Sequence, residues 1–221
     1  MKHIVVTLLI CLPYLAFSQM KDVQLEARAV PKPYLQDTSV ANFDSRQIGF
    51  TKLGSQAKEF LYWTNYSRVN PRRFWDSVVT PILVAFPNLK SSYSESLKTD
   101  LYANTALPHF KLNALLMGTA QAHANDIGFK KGKPSHTSTD GRTFVDRLRD
   151  AGVKTCAGEN ISLGNVDPIL SLVLLYIDYG IPTLGHRKSL LNPSYVETGV
   201  GVAVYGDTDN LFIVEDFACA Q

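Results

Sequence analysis

The sequence carries no strong charge of either sign: 22 Lys and Arg face 20 Asp and Glu, for a formal net charge of +2. Such a balance sets up no field that would draw the chain to nucleic acid or to an anionic membrane, and neither is expected as a partner. Cysteine is scarce, with three in 221 residues, and a chain of this length can bury a sizeable core without a disulfide framework. No internal repeat and no HExxH spacing is present. Beyond the N-terminus no apolar run approaches the roughly 20 residues of a membrane span. The best candidate, Ile169 to Ile177, stops at Asp178.

What is present begins with a leader pattern. Lys2 and His3 precede the apolar run Ile4 to Leu15, and Ala16-Phe17-Ser18 fits the small-x-small rule for signal peptidase. Residues 1–18 are therefore expected to be a cleaved signal peptide, and the protein to be secreted or periplasmic. Cys11 fits a lipoprotein poorly, because it lies inside the run behind Ile10, where lipidation wants a small residue. Cys156 and Cys219 remain, and in an oxidising compartment they can form a disulfide; two buried free thiols are the alternative.

Residues 19–54 are mixed and polar, with Pro31 and Pro33, and read as an N-terminal arm. A domain is expected over 55–221. Ser55 opens a helix to about Asn70, and Asn70-Pro71 opens another that Pro81 is expected to stop. Ile82 to Phe86 reads as a buried linker or a short strand. Ser92-Tyr93-Ser94-Glu95 has capping-box spacing. Leu112, Leu115, Leu116, Thr119, Ala120, His123 and Ile127 share one face of a helix expected to end near Gly128. On that face His123 reads as a satisfied core histidine, and Lys130, Lys131 and Lys133 beyond it as a solvated turn.

Thr143 and Asp146 cap a helix closed at Gly152. Asn160 to Leu163 alternates as an extended segment does. Asp167-Pro168 starts the most apolar helix, ending at Gly180, and Asp178 at its negative end needs a partner, with His186 and Arg187 the nearest. Thr183 is the expected cap of the next helix. Val200, Val202 and Val204, then Leu211 to Phe217, form a hairpin. The class is α+β, an antiparallel sheet covered by helices.

Two histidines and a glutamate stand on separate segments beside Gly, Pro or short polar residues: Ser135-His136-Thr137, Gly158-Glu159-Asn160-Ile161 and Gly185-His186-Arg187. In order along the chain come the helix with Asn65 and Arg68, the helix Leu112 to Ile127, Pro134 to Arg142, Cys156 to Ile161, Ile177 to Pro182, Gly185 to Pro193 and Gly199 to Ala203. Together these resemble the CAP superfamily of cysteine-rich secretory, antigen 5 and pathogenesis-related proteins, in its bacterial SCP-like branch. The resemblance implies a three-layer α-β-α sandwich with a mainly antiparallel central sheet. It also implies that His136, Glu159 and His186 converge on one cleft. Asp178 takes the place of the family's second glutamate with a shorter side chain, and the family's tryptophan nearby is missing, with Leu174, Leu175 and Tyr176 in its neighbourhood.

Chemically, two neutral imidazoles, His136 and His186, can hold a divalent metal such as zinc, and Glu159 and Asp178 can accept the other ring protons. With no third ligand evident, the site is expected to be weak and open. The leading expectation is binding of a ligand, a divalent metal or an extracellular partner; lipid, sterol, glycan and protein all stay open. A metal-assisted hydrolase, peptidase or esterase, is the alternative, with Glu159 or Asp178 as catalytic candidates taking a water proton. Ser135 is adjacent to His136 in sequence only. The third reading is a hydrogen-bonded network without turnover. Arg187 and Lys188 read either as anion contacts or as an exposed helix face.

Overall fold

The computed structural model describes residues 25–221 except Ala27, Leu35 and Val166; the signal peptide expected over 1–18 lies outside the described residues. The hairpin read from the alternating valines forms as β3 (Glu197–Val204) and β4 (Leu211–Ala218), with Gly201 opposite Val214. On its other side β4 pairs antiparallel with β2 (Ala157–Asn165), while the short β1 (Lys111–Leu112) adds to β3 in parallel. The strand order is β1-β3-β4-β2. The sheet is therefore mixed, antiparallel through its long strands and parallel at β1.

A strand alternates its side chains between two faces, and β4, buried throughout, feeds a core on each. Leu211, Ile213 and Phe217 join the larger core with α2 (Ser55–Val69) and α8 (Pro168–Ile177). Phe212 and Val214 pack with Ala120, Ala124 and Ile127 of α6 (Ala114–Lys130). Helices thus lie on both faces, giving the expected three layers. The contact with α6 is backbone against backbone: a Cβ on Gly199 would stand 2.1 Å from the Leu116 carbonyl carbon, and one on Gly201 would stand 2.3 Å from that of Ala120.

Several helices begin where their caps predict. Asp167 accepts the Ile169 N–H at 3.0 Å and starts α8, whose residues are all buried, as its apolar composition requires. Thr143 and Asp146 form a reciprocal capping box on α7 (Phe144–Ala151), which closes at Gly152 with φ 89°. Elsewhere the structure corrects the sequence reading. Pro81 does not stop its helix: α3 (Pro71–Phe74) passes through a π turn, Trp75–Val79, into α4 (Thr80–Ala85). Thr80 N–H bonds Trp75 O across that widened turn, and Pro81 then falls at the start of α4, where its missing N–H costs little. Ile82 to Ala85 is therefore helical, neither linker nor strand.

The cap of α5 (Ser92–Ala103) is Ser91, boxed with Ser94, one residue before the expected Ser92. Gly128 does not end α6. It sits inside the helix because a Cβ there would meet Ala203 Cβ at 2.9 Å, and Lys131 closes the helix with φ 51°. Leu112 belongs to β1 and Leu115 is exposed, so neither lies on the buried face of α6. Thr183 does not cap α9 (Gly185–Leu190), which Leu184 introduces in the left-handed region with φ 53°.

Part of the 19–54 stretch is folded onto the body. Asp37 caps α1 (Thr38–Ser45), and a 3-10 turn follows at Phe50–Lys52. From α1, buried Asp44 accepts Asn65 Nδ2–H at 2.7 Å, while Asn65 Oδ1 accepts the Phe110 N–H at 2.7 Å. Cys156 and Cys219 are joined by a disulfide with Cα atoms 5.4 Å apart. The bridge lies just beyond the last β2–β4 pair, Ala157 with Ala218.

Candidate functional site

Glu159 and Asn160 are neighbours on β2 and so face opposite sides of the sheet. On the α6 side, Glu159 Oε1 accepts His136 Nδ1–H at 2.8 Å and Oε2 accepts Arg147 Nη2–H. Burial pushes the Glu159 carboxyl up, but the His136 hydrogen bond and the Arg147 charge outweigh it and hold the group below the usual carboxylate range. An ionised carboxylate only accepts, so Nδ1 is the ring nitrogen that donates to it, and Nε2 is the one turned away from Glu159.

The loop that carries His136 is pinned from both sides. His123 Nε2–H donates to Ser135 O at 2.8 Å, and its Nδ1 accepts from Ser138 Oγ at 3.2 Å. Arg147 Nη1 donates to His136 O at 2.9 Å and to Ser138 Oγ at 3.2 Å. Burial pushes the His123 pKa down, so that ring stays neutral. It is the satisfied core histidine read from the sequence. Ser135 Oγ accepts the Thr137 N–H at 3.0 Å, a turn contact rather than a nucleophile held by a base.

The second pair lies between α8 and α9. Asp178 ends α8 in the left-handed region, with φ 56° and no exposed surface. Its Oδ1 accepts His186 Nδ1–H at 2.6 Å and its Oδ2 accepts the Arg187 backbone N–H at 3.1 Å. The shorter side chain therefore reaches its histidine. Both partners come from the first turn of α9, whose free N–H groups suit an anion. Asn160 Nδ2–H donates to His186 O at 3.1 Å. Adjacent residues of β2 thus touch the two pairs, Glu159 one and Asn160 the other.

The four candidate side chains stand as two pairs, His136 with Glu159 and His186 with Asp178. Among the described residues no three of His, Cys, Asp and Glu gather into a ready-made metal cage. The anion role considered for Arg187 is overturned. Its guanidinium is buried and donates to Tyr176 O, Ile177 O, Tyr93 O, Ser96 Oγ and Asp100 Oδ2 at 2.7–3.0 Å. Lys188 is exposed. Lys130 and Lys131 pair with Asp126 and Asp207, as a solvated turn would.

Sequence reasoning missed Arg147 and the two buried acids of β4. Asp216 lies opposite Glu159 in the ladder and accepts Thr119 Oγ1–H at 2.6 Å. Burial and the Glu159 charge push its carboxyl well above the usual range, so it stays protonated beside an ionised neighbour. Glu215 faces the other layer, opposite Asn160, and burial pushes it up to about 8. The available signal was the Glu215-Asp216 doublet inside an otherwise apolar strand.

Solved structures similar to the chain include an extracellular SCP-domain protein from Bacillus anthracis, 30% identical over 52% of this chain and 35% of its own length, with a TM-score of 0.41. A cysteine-rich secretory protein from Staphylococcus aureus is 20% identical over 61% of this chain and 39% of its own, with a TM-score of 0.40. An outer surface protein from Borrelia burgdorferi is 20% identical over 58% and 90%, with a TM-score of 0.44. The chain thus spans little more than a third of the length of the Bacillus and Staphylococcus proteins. No curated protein matches it. The family model described as the cysteine-rich secretory protein family, CAP, matches residues 45–217, well over half of the sequence. The chain therefore belongs to the CAP, or cysteine-rich secretory protein, family.

Proposed function

We propose that this CAP domain is exported and works by binding, through the two histidine–carboxylate pairs His136–Glu159 and His186–Asp178. The observation that carries this reading is the shared use of Nδ1: each ring gives that nitrogen to a carboxylate, leaving Nε2 to meet a ligand. A carboxylate on the far nitrogen fixes the ring's orientation and raises the basicity of the other nitrogen. His136 and His186 are then the residues that would hold a divalent ion such as zinc, and Glu159 and Asp178 the residues that orient them. Such an ion would supply Lewis acidity to a bound oxygen ligand. Two protein nitrogens alone would hold such an ion weakly, with its other positions open to water or a ligand. Export is supported by the Cys156–Cys219 bridge, which persists in oxidising compartments.

Hydrolysis has less support. Each oxygen of Glu159 and of Asp178 already accepts a hydrogen bond from the protein, so neither carboxylate is poised to take a proton from water. Calorimetric titration of the protein with zinc tests the binding reading. Heat that is present in the parent and lost in both His136→Ala and His186→Ala is the expected result. No heat above blank at near-millimolar zinc would remove the metal from the proposal.

A further inference from the structure

Arg147 is buried on α7 and joins two elements that no backbone ladder connects. Nη1 bridges His136 O and Ser138 Oγ in the loop, and Nη2 meets Glu159 Oε2 on β2. We propose that Arg147 is the positioning residue of the His136–Glu159 pair: it locks loop and carboxylate in one register, so that the His136 ring keeps Nδ1 on Glu159 and leaves Nε2 to a ligand. The assignment rests on reading His136 as a binding nitrogen, though its test also works without a ligand.

Glu159 has two oxygens and His136 needs one. With Oε2 committed to the guanidinium, Oε1 is the oxygen that faces Nδ1. The carbonyl of His136 itself is held by the same guanidinium, so the backbone under the ring cannot shift away from the carboxylate. His123 holds the other side of the loop through Ser135 O and Ser138 Oγ. A planar fork can serve a carbonyl, a hydroxyl and a carboxylate on two elements at once, whereas a lysine ammonium is a single point charge. The reciprocal Thr143–Asp146 box sets where α7 starts, and hence which residue of the helix faces β2.

The test is nitrogen NMR of the histidine rings at a fixed pH where they are neutral, together with zinc titration, on the full protein and its Arg147→Gln and Arg147→Lys variants. In the parent, His136 should show the Nδ1–H tautomer alone. Arg147→Gln should give a mixture of tautomers and weaken zinc binding roughly 10–100-fold, as loss of support behind a ligand does. Arg147→Lys, which keeps the charge and loses the fork, should behave like Arg147→Gln in tautomer. Arg149→Gln, on the exposed side of the same helix, should move neither reading. A parent with Nε2–H on His136, or an Arg147→Gln variant that keeps the pure Nδ1–H form, overturns the proposal. If Arg147→Gln does not fold, Arg147→Lys decides on the same two readings. If the parent binds no zinc, the metal reading falls alone and the tautomer still decides the role of Arg147.

Discussion

Arg68 and Arg187 are charges placed where a charge is costly, and main-chain carbonyls satisfy much of both. Arg68 donates to Pro108, Leu190, Asn192 and Tyr195 carbonyls at 2.8–3.2 Å and lies 3.7 Å over the Phe110 ring. Burial lowers its pKa to about 10, which leaves it charged at neutral pH. Replacing Arg187 with methionine takes the donor away from three main-chain carbonyls and Ser96 Oγ, and leaves the half-exposed Asp100 carboxylate to solvent. By analogy with breaking a buried ion pair, the expected loss is about 3–5 kcal/mol, read from urea unfolding. A loss below about 1 kcal/mol would mean that the guanidinium contacts contribute little net stability.

Glu215 makes a pH prediction. Its folded-state value of about 8, against the ordinary 4.5, means the fold keeps a proton that the unfolded chain releases. Below pH 4.5 both states hold it. Between about 4.5 and 8 stability falls as pH rises, by up to about 1.4 kcal/mol per unit. Glu215→Gln cannot lose this proton, so its stability relative to the parent should climb across that window. Asp216 has a shift of the same sign and remains in both proteins, so the difference between the two curves isolates Glu215. Parallel curves would refute the assignment.

At the scale of elements, α6 rests on β3 through glycine. Gly201→Ala would drive a methyl into the Ala120 carbonyl carbon at 2.3 Å, and neither backbone can turn away as a side chain would. The expected cost is about 1–3 kcal/mol or more, with the melting temperature as the measurement. An unchanged melting temperature would show that the two layers slide apart freely. Alternation in β3 made the hairpin legible, and the Thr143–Asp146 and Asp167–Ile169 caps were legible because cap and partner are two or three residues apart. Pro81, Gly128 and Ser92 misled for the opposite reason. What decides each is a wider turn, a neighbouring strand or a one-residue shift of register, and none of these is written in the local pattern. The histidines and Glu159 could be found from their motifs. Arg147 could not, since only the docking of α7 against β2 brings it to Glu159.

At the scale of the whole molecule, the disulfide closes a segment with a sequence separation of 63 that contains β2, α8, α9, β3 and all of β4. Tying its ends removes about 4 kcal/mol of freedom from the unfolded chain in the chain-entropy account. Replacing Cys156 and Cys219 with serine should therefore lower the denaturant midpoint strongly, with zinc binding retained once the protein is folded. An equal midpoint for the oxidised, reduced and serine forms would show that the bridge is only decorative.

Strand β4 has one further consequence, in the order of events. It is made after β1, β2 and β3, yet it lies between β3 and β2. The sheet cannot zip outward from a first hairpin in order of synthesis. Until residues 211–218 arrive, β2 has no strand to pair with and Glu159 has no Asp216 across from it. Assembly of the His136 pair is thus timed by the latest strand to appear, and long-range closures of this kind are slow steps in folding. A ribosome-bound chain stopped before Leu211 should carry helices but no protected β2 amides, and hydrogen exchange on such a chain would read the difference directly.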